Sequence, residues 1–203
     1  DVYKRQGRQL HKFGGSSLAD AKCYLRVAGI MKEYSQAGDM MVVSAAGSTT
    51  NQLISWLKLS QSDRLAAHQV QQSLRRYHTE LIGGLLEPAA ADTLIAAFIH
   101  DLERLAGLLD GGVSEAVYAE VVGHGEVWSA RLMAAVLNQL GMEAAWLDAR
   151  AFLRAERAAQ PQVDEGLSYP LLQQLMAQPA IFMHGPEHHV MVGCLLYTSD
   201  AAD

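Results

Sequence analysis

Apolar residues in this chain recur in two rhythms, a helical one and short unbroken runs. Gln9 to Phe13 reads as a short strand. From Leu18 to Ser35 apolar residues fall at helical spacing (Ala21, Leu25, Ala28, Met31), until Gly38 and Asp39 break the pattern. Met40-Met41-Val42-Val43 shows no alternation. That run predicts a strand covered on both faces, as in a parallel sheet. Strand, helix and strand make a β-α-β unit with a right-handed crossover.

A second helix carries Leu53, Ile54 and Leu57, with Thr49 or Thr50 placed to cap it. From Asp63 to Leu109 the chain is nearly all helix, broken around Glu87-Pro88. Leu65, Val70, Leu74, Leu81 and Leu85 line one half, and Leu94, Phe98, Leu102 and Leu105 the other. This predicts a helical hairpin laid beside the sheet. Asp110-Gly111-Gly112 is a stop. Glu120 to Gly141 reads as another helix, Ala144 to Leu147 as a buried strand, and Ala151 to Arg157 as a short helix or turn. Leu171 to Met176 is helical, Pro179 ends it, and Ala180 to Met183 is the last strand candidate.

Composition narrows the class. The 203 residues are 50% hydrophobic and 19% charged, which describes a folded globular chain. The formal net charge is −6 and the basic residues form no stripe, which argues against nucleic acid as a partner. There is no apolar run long enough for a membrane span, and the charged, polar start is not a secretory signal. Cys23 and Cys194 lie far apart and make no paired motif, so the reducing cytoplasm is the expected compartment.

Against that background one stretch stands out: Lys12-Phe13-Gly14-Gly15-Ser16-Ser17, at a strand-to-helix junction. Glycines there let backbone N–H groups approach an anion, and a following helix would aim its positive end at the same spot. Lys12 adds a point charge able to follow a moving phosphoryl group. The order of residues is neither a Walker A loop nor a dinucleotide fingerprint. The plainer alternative is a strand–turn–helix corner with a capping serine. Ser44-Ala45-Ala46-Gly47-Ser48-Thr49-Thr50 ends the second strand with small, hydroxylated residues, where α/β sheets bind ligands, although capping accounts for the threonines equally well. Gly123-His124-Gly125-Glu126 sits near the start of the next helix, where a glutamate can also serve the helix dipole alone.

These three segments, in this order, resemble the aspartokinases, of the amino-acid-kinase fold. The resemblance covers Leu10 to about Gln178. Gly123 to Arg131 (GHGEVWSAR), Ala144 to Arg150 (AAWLDAR) and Arg154 to Gln160 (RAERAAQ) are most similar to the N-terminal kinase part of enterobacterial bifunctional aspartokinase/homoserine dehydrogenases of the second type. The resemblance implies an α/β three-layer sandwich with a mainly parallel sheet and a helical hairpin insertion, incomplete at the C-terminus. It implies transfer of the ATP γ-phosphoryl to the side-chain carboxylate of L-aspartate, the first step toward threonine, methionine and lysine. MgATP would be the co-substrate, and NAD(P)H would serve only a dehydrogenase domain that this chain lacks. The intact enzyme would be a homo-oligomer, with neither nucleic acid nor membrane as partner. Lys12 would contact the transferring phosphate and act catalytically, within a phosphate-binding stretch of Lys12, Phe13, Gly14, Gly15, Ser16 and Ser17. Ser44, Thr50 and Glu126 would line the aspartate pocket, with Glu126 meeting the substrate ammonium.

The chain departs from that family after Pro179, where a glycine-rich turn and a G-R-x-G-S-D segment would follow but do not. His184, Glu187, His188 and His189 fit no standard zinc spacing, so no metal ligands are assigned and the stretch reads as a solvated loop. Residues 1–6 and 184–203 look foreign or irregular and flank a kinase portion at 7–183. On this reading the chain by itself is inactive, marginally stable and prone to aggregate through an open sheet edge. Two other readings stay open: another carboxylate or carbamate kinase of the same fold, and a non-catalytic module retaining half a site.

Overall fold

The computed structural model describes residues 9–36, 38–155 and 162–176, and the backbone of 188–192. Four parallel strands form one sheet: β1 (Leu10–Phe13), β2 (Met40–Val43), β3 (Ala144–Leu147) and β4 (His188–Val192), in the order β1-β2-β4-β3. Leu10 pairs with Met40, Met40 with His189, and His189 with Ala145. The helices are α1 (Ala21–Tyr34), α2 (Thr49–Ser60), α3 (Arg64–Gly83), α4 (Pro88–Asp110), α5 (Glu115–Gln139) and α6 (Glu165–Met176).

Their ends follow from local chemistry. The carboxylates of Asp20 and Asp63 and the hydroxyl of Ser114 accept the first-turn N–H groups of Cys23, Ala66 and Val117. Pro88 opens α4, where its missing N–H costs nothing. The hairpin of α3 and α4 therefore forms where the sequence places it, but it rests on α2 and α5 rather than on the sheet. Helix α5 lies against β2, β3 and β4 and links the hairpin to the strands. One core runs through all of this, from Met41 and Val43 on β2 to Tyr24, Leu53, Leu74, Leu105 and Leu137.

Four expectations change. Residues 188–192, assigned to an irregular tail and in part to a solvated loop, form a strand between β2 and β3. A central strand is defined by backbone partners on both sides, and those lie far away in sequence. The strand candidate at 180–183 and the residues His184 and Glu187 lie outside the described residues. Strand β2 alternates, with Met41 and Val43 buried and Met40 and Val42 half-buried, so two-sided burial is not reached among the described residues. Finally, α5 starts at Glu115, five residues before the expected Glu120, and only a 3₁₀ turn at Ala149–Ala151 overlaps the short element expected at 151–157.

Candidate active site

The three segments singled out by sequence meet at one end of the sheet. Beyond β1, Gly14 is extended and Gly15–Leu18 forms a 3₁₀ turn. Beyond β2, the Ser44 N–H donates to the Phe13 carbonyl at 3.1 Å, and the Gly47 N–H donates to the Gly15 carbonyl at 3.3 Å. The two turns are thus bonded to each other. Two glycines are required here for steric reasons. A Cβ on Gly15 would stand 2.9 Å from the Ala45 carbonyl oxygen. Gly47 has φ +53°, and a Cβ there would stand 2.9 Å from the Tyr77 hydroxyl.

The third segment arrives on α5. A Cβ on Gly125 would lie 2.9 Å from the Ala45 Cβ and 3.3 Å from Leu53 and Thr49 side chains, so only glycine lets the helix come this close. Glu126 follows, 8% exposed. Burial raises its pKa to about 7, opposed by the backbone N–H groups of Glu126 itself and of Ala45. Among the described residues no side chain bonds or pairs with it. The helix-dipole explanation of Glu126 is overturned: it lies three turns into α5, beyond the reach of the N-terminal amides.

Lys12 is exposed on the edge strand, and its Nζ lies 3.7 Å from where a Cβ on Gly14 would be, so the ammonium sits over the glycine turn. It makes no hydrogen bond or ion pair among the described residues. Ser16 and Ser17 are exposed, and Phe13, Gly14, Gly15, Ser44 and Thr50 are half-buried. Two cap assignments change. Asp20, not Ser16 or Ser17, closes the α1 N-terminus, so the 3₁₀ turn separates that helix end from the glycines. Ser48 is the cap residue just before α2 and makes no side-chain cap bond, while the buried Thr49 hydroxyl donates to the Ala46 carbonyl at 2.6 Å.

The outer side of α5 is tied down by charge. The Arg104 guanidinium reaches Glu120 at 2.8 Å, Arg150 reaches Glu120 at 3.0 Å and Asp148 at 2.7 Å, and Arg131 reaches Asp101 at 2.6 Å. Arg131 also lies over the Trp146 ring, 4.6 Å from its centre. These pairs hold α5 against α4 and the end of β3, and so set the position of Glu126. Sequence reasoning noted Arg131, Trp146, Asp148 and Arg150 without a role for them, and it passed over Tyr77 and His78. The available signal was a histidine four residues after Leu74, on the apolar stripe of α3.

This arrangement of sheet, hairpin and glycine turns belongs to a known class. The chain is a member of the amino acid kinase family, whose sequence profile matches residues 7–200. It is 81% identical over 173 residues to bifunctional aspartokinase/homoserine dehydrogenase 2 of Escherichia coli, covering 85% of this chain and 21% of that protein. It is 27% identical over 160 residues to the chloroplastic bifunctional aspartokinase/homoserine dehydrogenase 1 of Arabidopsis thaliana, covering 76% of this chain and 18% of that one. The fold matches E. coli aspartokinase III in complex with aspartate and ADP, with TM-score 0.76 and 22% identity, over 91% of this chain and 40% of that one. The chain thus spans about a fifth of the length of these two curated relatives.

Proposed function

We propose that this chain carries the acceptor side and the first phosphate contact of an aspartate kinase active site. The γ-phosphoryl of ATP passes to the side-chain carboxylate of L-aspartate: a carboxylate oxygen forms the new P–O bond, the bond from the γ-phosphorus to the β,γ-bridging oxygen breaks, and ADP leaves. The observation that carries this reading is Glu126, buried and, among the described residues, without a side-chain partner, beside the turn that follows β2. A substrate ammonium supplies the missing partner, and binding it draws the glutamate into its charged form.

The acceptor is already a nucleophile at neutral pH, so the chain has no proton to remove. Its task is positioning and offsetting the repulsion between two anions. Lys12, exposed over Gly14, is placed to follow the phosphoryl, with backbone N–H groups of the Gly14-Gly15 turn beside it. Ser44 and Thr50 flank the acceptor. Mg²⁺ would arrive on the nucleotide phosphates. NAD(P)H is assigned to no residue of this chain. A cytoplasmic, homo-oligomeric parent enzyme without nucleic-acid or membrane partners belongs to the same reading. The net charge of −6 supports the exclusion of nucleic acid.

Titration calorimetry tests this with L-aspartate, L-glutamate and MgATP in turn. L-aspartate is expected to bind at least tenfold more tightly than L-glutamate. Preference for L-glutamate would move the chain to another carboxylate kinase. Binding of neither amino acid would leave a non-catalytic module.

A further inference from the structure

The helical hairpin touches both glycine turns through two consecutive residues of α3. Tyr77 donates its hydroxyl to the Ala19 carbonyl at 3.0 Å, at the exit of the 3₁₀ turn after Lys12-Phe13-Gly14. The same hydroxyl fills the space that a side chain on Gly47 would need. His78 Nε2 lies 3.1 Å from the Thr49 hydroxyl, which donates to the Ala46 carbonyl in the turn after β2. A carbonyl only accepts, so the single hydroxyl proton of Thr49 is committed to Ala46. The Nε2 of His78 must therefore carry a proton and donate to Thr49.

The His78 ring is itself held from three sides. It stacks on Phe98 of α4 at 4.8 Å, meets Trp128 of α5 edge-on at 5.2 Å, and meets Tyr77 edge-on at 5.0 Å. Trp128 is fixed in turn through its indole N–H, which donates to Asp101 at 3.3 Å. One helix thus reaches both turns, the first by a direct bond from Tyr77 to the Ala19 carbonyl and the second from His78 through the Thr49 hydroxyl, and neither Tyr77 nor His78 hydrogen-bonds Lys12 or Glu126.

We propose that Tyr77 and His78 are positioning residues: a two-point brace that sets the spacing between the phosphate-side turn and the acceptor-side turn. Its consequence for phosphoryl transfer rests on the aspartate-kinase reading, whereas the brace itself rests on these contacts. Transfer needs the reacting atoms about 3–3.5 Å apart, and the turns stand on different strands, so a shared anchor removes one freedom of relative motion.

The experiment compares the unmodified chain with Tyr77→Phe, with the double variant Tyr77→Phe/His78→Phe, and with His78→Gln. Amide hydrogen exchange is read in both turns (residues 14–19 and 45–50) and in the middle of α5, alongside L-aspartate titration. Each lost neutral hydrogen bond corresponds to roughly a fivefold change. In the double variant, which removes one bond from each turn, exchange in each turn is expected to quicken about fivefold while α5 stays unchanged, and aspartate binding weakens about tenfold. His78→Gln retains an N–H donor and recovers exchange in residues 45–50 and binding to within about threefold. Unchanged exchange in the turns, or equal quickening through α5, overturns the brace. If the double variant does not fold, Tyr77→Phe alone must quicken residues 14–19 and spare α5 for the brace to stand. Turn-specific quickening in a chain that binds no aspartate supports the brace and overturns the kinase reading.

Discussion

His124 and Glu126 stand two residues apart on α5, both buried, on opposite sides of one helix. His124 has a partner for each nitrogen. Its Nδ1–H donates to the Glu120 carbonyl at 2.7 Å, and its Nε2 accepts from Arg104 at 2.8 Å. Burial, first of all, holds its pKa below the usual value. Among the described residues Glu126 has only backbone N–H groups as partners, and burial raises its pKa to about 7. On the proposed reading, His124 serves the scaffold and is satisfied within it, whereas Glu126 serves a ligand and is left short of a partner among the described residues. The second arrangement costs folding stability and keeps binding energy in reserve.

Lys12 is the third point of the comparison, since it too lacks a partner among the described residues. The largest effect is expected from Lys12→Ala in a chimera of the E. coli bifunctional relative that carries this chain's matching segment. Steady-state kinetics should show kcat lower by about 100-fold or more, with the aspartate KM within about threefold. Near-normal turnover would remove Lys12 from the transfer step.

Glu126→Gln should sharpen the contrast, because binding and stability move in opposite directions. Aspartate affinity should fall about 10- to 100-fold, the range of a charge-assisted hydrogen bond. The folded pKa of Glu126 lies above that of a free glutamate. Its contribution to stability is therefore fully present below about pH 4.5 and is lost as pH rises through about 7. Thermal unfolding should find the Gln variant more stable at pH 8, by on the order of 2–3 kcal/mol, and equal to the parent near pH 4. A variant less stable at pH 8 would mean that Glu126 has a partner in the scaffold after all.

His124→Leu is the smallest of the three. It deprives Arg104 of one acceptor and should cost about 1–2 kcal/mol in denaturant unfolding, while aspartate affinity stays within about twofold. An affinity loss as large as that of Glu126→Gln would erase the distinction between the two sides of α5.

The glycine turn after β1 was legible because its chemistry is local: a lysine, two glycines and two hydroxyls at a strand end. The hairpin was legible for the same reason, from helical spacing and Pro88. Glu126 was legible as a residue but not as an environment. The glycines at 123 and 125 made Gly123 to Glu126 look like a helix start, whereas Gly125 lies inside α5 to let the helix approach Ala45. The run His188 to Val192 looked like part of a tail because nothing next to it in sequence marks a strand, and the strands that flank it are β2 and β3.

The sequence by itself determined the alternation of strands and helices, the helical hairpin, and a glycine turn carrying Lys12, since periodicity and turn chemistry act over a few residues. The tertiary structure alone decided the rest. It set β4 at the centre of the sheet, brought Glu126 against the turn after β2 with its ionisation suppressed, and put Tyr77 and His78 behind both turns. Desolvation and close packing depend on which distant segments meet, and no short stretch of chain contains that information.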